Sequence, residues 1–191
     1  IFDFIMHFRK KNIIADIDFK YRFNTNEDFK ELLSALSIIL KEYGSLKQLF
    51  LKYYDKNDGN VIKALNGFTS EIRKISNGSK TFEYLVPDVA KNSTCKRLFL
   101  FLRWMVRKDK VDTGIWNKEI HTSKLIMPVD THVYRISRHY GFVERKSLDL
   151  KFAVELTEKL KKYDPVDPVK YDFALCHLGV DKADLNFREN P

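Results

Sequence analysis

Apolar residues recur every three or four positions along most of the chain, and no stretch of strict alternation bounded by turn residues stands out. The first pattern buries one face of a helix, whereas a half-buried strand would need the second. An all-α fold is predicted. Between Glu27 and Tyr43, Leu32, Leu33, Leu36, Ile39 and Leu40 share a face, with Thr25 or Asn26 placed to cap the start and Gly44 to end it. Ser45 then caps a shorter helix, Leu46 to Tyr54. Asp55 to Asn60 is turn chemistry, and Val61 to Ile75 returns to helical spacing until Ser76-Asn77-Gly78-Ser79 interrupts it.

The second half follows the same rhythm. Phe82 to Asn92 is irregular around Pro87, after which Ser93 or Thr94 can cap a strongly apolar helix, Cys95 to Val106. Its apolar residues, including Leu98, Phe99 and Met105, cover more than one face, so it is predicted to pack on several sides. Val111 to Met127 reads as a connector with one helical turn near Trp116. Pro128 is placed to open a helix from Val129 to Tyr140, which Gly141 ends. Ser147 can cap a helix from Leu148 to Tyr163, and Asp167-Pro168 can start a last one running to His177. Residues 1–10 read as a helix end and 11–24 as a connector. The predicted division is an N-terminal helical part, 1–80, a second helical part, 81–180, and a polar tail, 181–191.

Composition narrows the setting. The 191 residues include 15 Phe and 9 Tyr but only 2 Cys, so the core is expected to rest on aromatics without a disulfide framework, which suits a reducing, cytoplasmic location. No apolar run approaches the roughly 20 residues needed to span a bilayer, and a soluble protein is expected. The start, Ile1 to Phe8, has no initiator Met, basic region or cleavage site and reads as the interior of a longer chain. A formal charge of +8 and a pI near 9.3 favour a polyanionic partner, although Lys- and Asn-rich usage also arises from an AT-rich genome.

The chemistry concentrates in Pro128-Val129-Asp130-Thr131-His132-Val133-Tyr134-Arg135-Ile136-Ser137-Arg138. It places one carboxylate at a helix start and cations along the helix behind it. Unpaired amides and the positive end of the helix dipole would keep Asp130 ionised, able to face a developing sugar cation; an ordinary capping Asp has the same signature. The stretch Val129-Asp130-Thr131-His132-Val133 followed by Arg135 resembles the block that carries the catalytic Asp in the helix-hairpin-helix DNA glycosylases, which include endonuclease III, the adenine glycosylases and the 8-oxoguanine glycosylases. A wider resemblance, covering about residues 20 to 180, is to a bacterial family of unknown function. It is carried by Tyr21-Arg22-Phe23, Glu42-Tyr43-Gly44-Ser45-Leu46, Cys95-Lys96-Arg97-Leu98, Phe101 to Arg107, Ser123 to Pro128 and Lys170 to Leu175.

The glycosylase resemblance implies a helix-hairpin-helix glycosylase-like fold and a catalytic role for Asp130. It implies too that an amine before Asp130 attacks the anomeric carbon. Lys96, opening the central helix, is the first candidate for that amine and Lys91 the second; a helix-start cation that only contacts phosphate is the competing reading of Lys96. Phosphate contacts would come from Lys91, Arg97, Arg103, Lys124, His132, Arg135 and Arg138. Where the family has a glycine-rich hairpin, this chain has Val86-Pro87-Asp88-Val89-Ala90-Lys91, with neither glycine, so a backbone clamp on phosphate must be built differently. The family's N-terminal segment has no counterpart before Ile1, and part of the base pocket wall is expected to be missing.

Aromatics and cations interleave in Phe99 to Trp104 and in Tyr134 to Tyr140, as a base-stacking surface would require, but at helical spacing Phe99, Trp104 and Tyr134 fit a core better. Trp116, in a loop between Lys96 and Asp130, is the candidate for the base pocket. Two cysteines are too few for an iron–sulfur cluster, Cys95 and Cys176 read as small buried residues, and scattered histidines give no metal site; no cofactor is expected. The expected protein is a monomer that binds duplex DNA, extrudes a damaged base, with 8-oxoguanine the best candidate, and displaces it through Lys96 and Asp130, with or without an AP-lyase step to follow. The alternatives are a nucleic-acid-binding module without catalysis and a helical protein-interaction module.

Overall fold

The helical periodicity is realised as nine α-helices, with no strand, among the described residues. The computed structural model describes residues 2–6, 22–76 and 80–181. Residues 7–10 of the expected helix end, residues 11–21 of the expected connector 11–24, the turn residues 77–79 and the tail beyond 181 lie outside the described residues. Contacts divide the chain into two units, 1–91 and 92–191, so the segment around Pro87 belongs to the first unit.

The first unit contains α1 (Phe2–Met6), α2 (Asn26–Tyr43), α3 (Leu46–Tyr53), α4 (Ile62–Ile75) and α5 (Phe82–Leu85), followed by a 3-10 turn, Val89–Lys91. Asp28 anchors the start of α2 by accepting from the Thr25 amide at 2.8 Å, and Thr81 donates to its other oxygen at 2.8 Å. Gly44, at φ 75°, closes α2 by donating to the Leu40 carbonyl. Ser45 caps α3 through the Gln48 amide at 3.1 Å. Helices α3 and α4 meet where Phe50 abuts Phe68 and Tyr53 donates to Glu71 at 2.8 Å, and Tyr43 at the end of α2 donates to the same carboxylate at 3.1 Å. Gly67 makes this approach possible, since a Cβ there would lie 2.4 Å from the Tyr53 ring. Gly67→Ala is therefore expected to destabilise the protein by about 1–3 kcal/mol, despite the better helix propensity of Ala, in denaturant unfolding.

The second unit contains α6 (Lys96–Val106), α7 (Thr131–His139), α8 (Leu150–Lys161) and α9 (Asp172–Asp181), with 3-10 turns at Thr122–Lys124 and Pro168–Tyr171. Its core is built on Phe99, Leu102 and Val106 of α6, Val133 and Ile136 of α7, and Phe152, Leu156 and Leu160 of α8. The loop after α6 folds back on that helix. Gly114 N donates to the Trp104 carbonyl at 3.0 Å and Trp116 N to the Met105 carbonyl at 2.7 Å, which occupies carbonyls that a helix end leaves unpaired.

Several helix starts differ from the expectation: α9 begins at Asp172, after the 3-10 turn that Asp167-Pro168 opens. Pro128 does not open α7, because Leu125 to Val129 runs buried through the core without helix, its Met127 amide donating to Thr157 Oγ1 at 2.9 Å. An apolar run without periodicity was the visible sign of burial, but not of a non-helical path. Nor does Ser147 cap α8; Asp149 does, accepting from the Phe152 amide at 3.0 Å and from Arg145 Nε at 2.8 Å. The Arg145 hydrogen bond, opposed by burial and helped by the Phe152 amide, holds the Asp149 carboxyl at about 2. A folded value below the unfolded one, about 3.9, means stability that is complete above the unfolded value and lost as pH falls through the folded one. Asp149→Asn keeps the capping oxygen and removes the charge. Its Tm deficit against the parent should be largest at neutral pH and should close between pH 4 and pH 2 in thermal melts.

Candidate active site

The site is assembled by two helix N-termini of the second unit. Residues 92–95 form a tight turn before α6 in which Asn92 and Cys95 both take left-handed backbone conformations, with φ 59° and 46°. Asn tolerates this region; Cys does so at a cost of about 1–2 kcal/mol. Neither Ser93 nor Thr94 caps α6, and the N-cap position falls to Cys95, whose carbonyl accepts from Leu98 and Phe99. The turn is pinned from outside: the Asn92 carbonyl accepts from Leu150 N at 3.0 Å, and its side-chain amide donates to Asp149. Lys96 is thereby placed as the first residue of α6.

Asp130 is the N-cap of α7, its Oδ1 accepting from the Val133 amide at 2.9 Å. Its other oxygen, Oδ2, accepts from Lys96 Nζ at 2.7 Å across 34 residues of sequence. The two side chains are 38% and 21% exposed, so the pair is reachable from solvent yet partly screened from it. Burial alone would raise the Asp130 carboxyl, but the Lys96 ammonium and the Val133 amide together outweigh it and hold the group below its ordinary value. His132 adds to the same pull. A lysine at the first position of a helix faces the positive end of the dipole, an unfavourable placement of about 0.3–1 kcal/mol that Asp130 offsets.

Behind the pair lies a buried ionic layer that the sequence did not announce. Arg103, 1% exposed, donates through Nε to Asp112 at 3.1 Å and through Nη1 to Asp172, while its guanidinium face lies 4.4 Å from the centre of the Phe173 ring. Arg107 ties Asp112 to Asp167, at 3.0 and 2.8 Å. Burial pushes the Asp172 carboxyl up against the pull of Arg103, and Asp130 and Lys96 both act on it. Cys176, one turn along α9, senses the same charges; burial and the two carboxylates push its thiol up. It is only partly buried, unlike Cys95.

The remaining candidates separate clearly. Arg97, His132, Arg135 and Arg138 are exposed, and Lys124 is half-buried in its 3-10 turn. Arg103 cannot contact phosphate, because it is the most voluminous fully buried side chain among the described residues and is engaged by two carboxylates. Trp116 is not an open stacking surface: it is 4% exposed and packs edge-on against Phe101 at 5.4 Å, in a loop whose amide is fastened to α6. Lys91 belongs to the first unit, where its ammonium holds both oxygens of Glu83, at 2.8 and 2.6 Å. Asp88 on the same turn accepts from the Ala90 amide and pairs with Arg73. Among the described residues, no three His, Cys, Asp or Glu side chains are grouped to hold a metal, and no helix is long and apolar enough to cross a membrane.

Fold and site thus define an all-helical protein with a lysine–aspartate pair set where two helices begin. The chain belongs to the family described as a protein of unknown function, DUF2400, whose profile matches residues 2–181. No curated protein and no solved structure matches it significantly.

Proposed function

We propose that the protein is a DNA glycosylase-like enzyme that binds duplex DNA and cleaves the N-glycosidic bond of a damaged base, with Lys96 and Asp130 as its catalytic residues. The observation that carries this reading is the 2.7 Å contact between Lys96 Nζ and Asp130 Oδ2. These residues are 34 apart in sequence, and the fold of the second unit brings their side chains together. An ionised carboxylate in a partly screened site can stabilise positive charge building on the sugar as the bond to the base breaks. The Lys96 amine, once its proton has passed to Asp130 or to water, can attack the anomeric carbon; the base leaves with the bonding pair and takes a proton. The left-handed backbone at Cys95 adds support, because conformational strain of this kind is concentrated at functional sites. Among damaged bases, 8-oxoguanine is the first to test, with AP-lyase cleavage of the Schiff base as the following step.

A non-catalytic nucleic-acid-binding module is the second reading, for which Arg135 and Arg138, exposed along α7, could contact phosphate without any chemistry. Release of free base from duplexes carrying 8-oxoguanine or uracil separates the two. The enzyme releases base, and Asp130→Asn lowers the rate by at least about a hundredfold while leaving DNA affinity within a few-fold. Salt-sensitive binding without release from any lesion, and unchanged by Asp130→Asn, would establish the module instead.

A further inference from the structure

The far end of α7 from Asp130 carries a chain of rings that the proposed chemistry does not use. His139, Tyr140, Phe142 and Tyr163 follow one another with centroid separations of 5.0, 6.4 and 6.4 Å. Tyr140 is 49% and Tyr163 63% exposed. The backbone presents them: α7 ends at Tyr140, Gly141 turns the chain at φ 67°, and Phe142 N returns to the Ser137 carbonyl at 2.8 Å. Tyr163 comes from the end of α8, where its amide is bonded to Leu160. Adjacent rings that remain partly exposed form an aromatic patch, and such patches mark interaction sites where they are contiguous.

Two features indicate the partner. Residues 138–149 and 158–164, which hold the rings, contain six Lys or Arg against four carboxylates; Arg145 is paired with Asp149 and Lys161 with Glu158, while Arg138, Lys146 and Lys162 are exposed. The neighbouring rings are inclined to one another by 80°, 50° and 87°, so they offer separate faces rather than one flat apolar facet. Separate aromatic faces set among cations match a polyanion with planar groups spaced along it. We infer that this surface binds single-stranded nucleic acid, the bases stacking on Tyr140 and Tyr163 and the phosphates lying against Arg138, Lys146 and Lys162. Tyr140 lies ten residues beyond Asp130, about 15 Å along the helix, so the surface is distinct from the Lys96–Asp130 pair and does not depend on its chemistry.

The test is fluorescence anisotropy of a labelled oligo-dT with the full chain, its Tyr140→Ala and Tyr163→Ala variants, and Tyr163→Phe. Each alanine should weaken binding about tenfold, the Phe variant should retain affinity because the ring face persists, and Kd should rise steeply with salt. If circular dichroism shows that an alanine variant is unfolded, Lys162→Glu on the exposed surface should produce the same loss of affinity. Lys96-dependent trapping at saturating duplex should be unchanged in Tyr163→Ala, which keeps failure of this surface apart from failure of the glycosylase reading. Oligo-dT affinity that is unchanged in both alanine variants and in Lys162→Glu overturns the inference. So does ring-dependent binding to phosphatidylglycerol vesicles with no ring-dependent binding to oligo-dT, which would make the partner a membrane surface.

Discussion

Lys96→Gln is expected to abolish the covalent adduct that borohydride traps between the protein and a duplex carrying an abasic site or 8-oxoguanine, a loss of at least about a hundredfold. Gln keeps most of the length of the side chain and can still donate to Asp130 Oδ2, now 2.7 Å from Nζ, so the helix start should survive. What disappears is the amine proposed to become the Schiff base. Asp130→Asn should reduce trapping without changing where the adduct forms, since Val133 can still donate to the capping side chain. An adduct that survives Lys96→Gln would move the nucleophile elsewhere, and Lys91, already gripped by Glu83, is the next lysine to replace. No adduct with the parent chain on any lesion would remove the lyase step and leave base release as the deciding measurement.

Arg103→Met is expected to lower stability by about 3–5 kcal/mol, and Tm by roughly 10 °C, the largest structural effect of any single substitution considered. Methionine fills much of the volume but leaves Asp112 and Asp172 without their shared cation, and Asp112 has no exposed side-chain surface at all. Arg107 still reaches Asp112 but not Asp172. The loss should be partly relieved in the double variant Arg103→Met with Asp172→Asn, because one uncompensated charge is removed; a double-mutant cycle in urea measures it. Simple loss of packing would leave the two substitutions additive.

The helices were legible because their apolar faces repeat, and the starts of α2 and α3 were legible because Thr25 and Ser45 lie beside those faces. Asp130 was legible as a helix-start carboxylate, although the helix begins after it and not at Pro128. The buried ionic layer was not. Arg103 looks like any cation on a helix until Asp112 and Asp172, which lie 9 and 69 residues away, are known to close over it. Trp116 misled for a related reason: a loop tryptophan reads as available, and only the hydrogen bonds from Gly114 and Trp116 to α6 show that this loop is part of the core wall. Helix α5 escaped notice because four residues are too few to display a period.

The buried, non-helical segment from Leu125 to Val129 gives the two members of the pair different freedoms. Asp130 is the last link of a strap threaded through the core and fastened to Thr157, so its position is set by the second unit as a whole. Lys96 ends in four rotatable methylenes and samples new orientations within nanoseconds. In the proposed reaction, carboxylate and amine would act as anvil and arm: a bound sugar registered against the held oxygen, and the amine swinging to meet it. Substitutions that soften the strap, such as Thr157→Val, should consequently blur the register while leaving the arm intact, an effect seen as a lower rate of chemistry at unchanged DNA affinity.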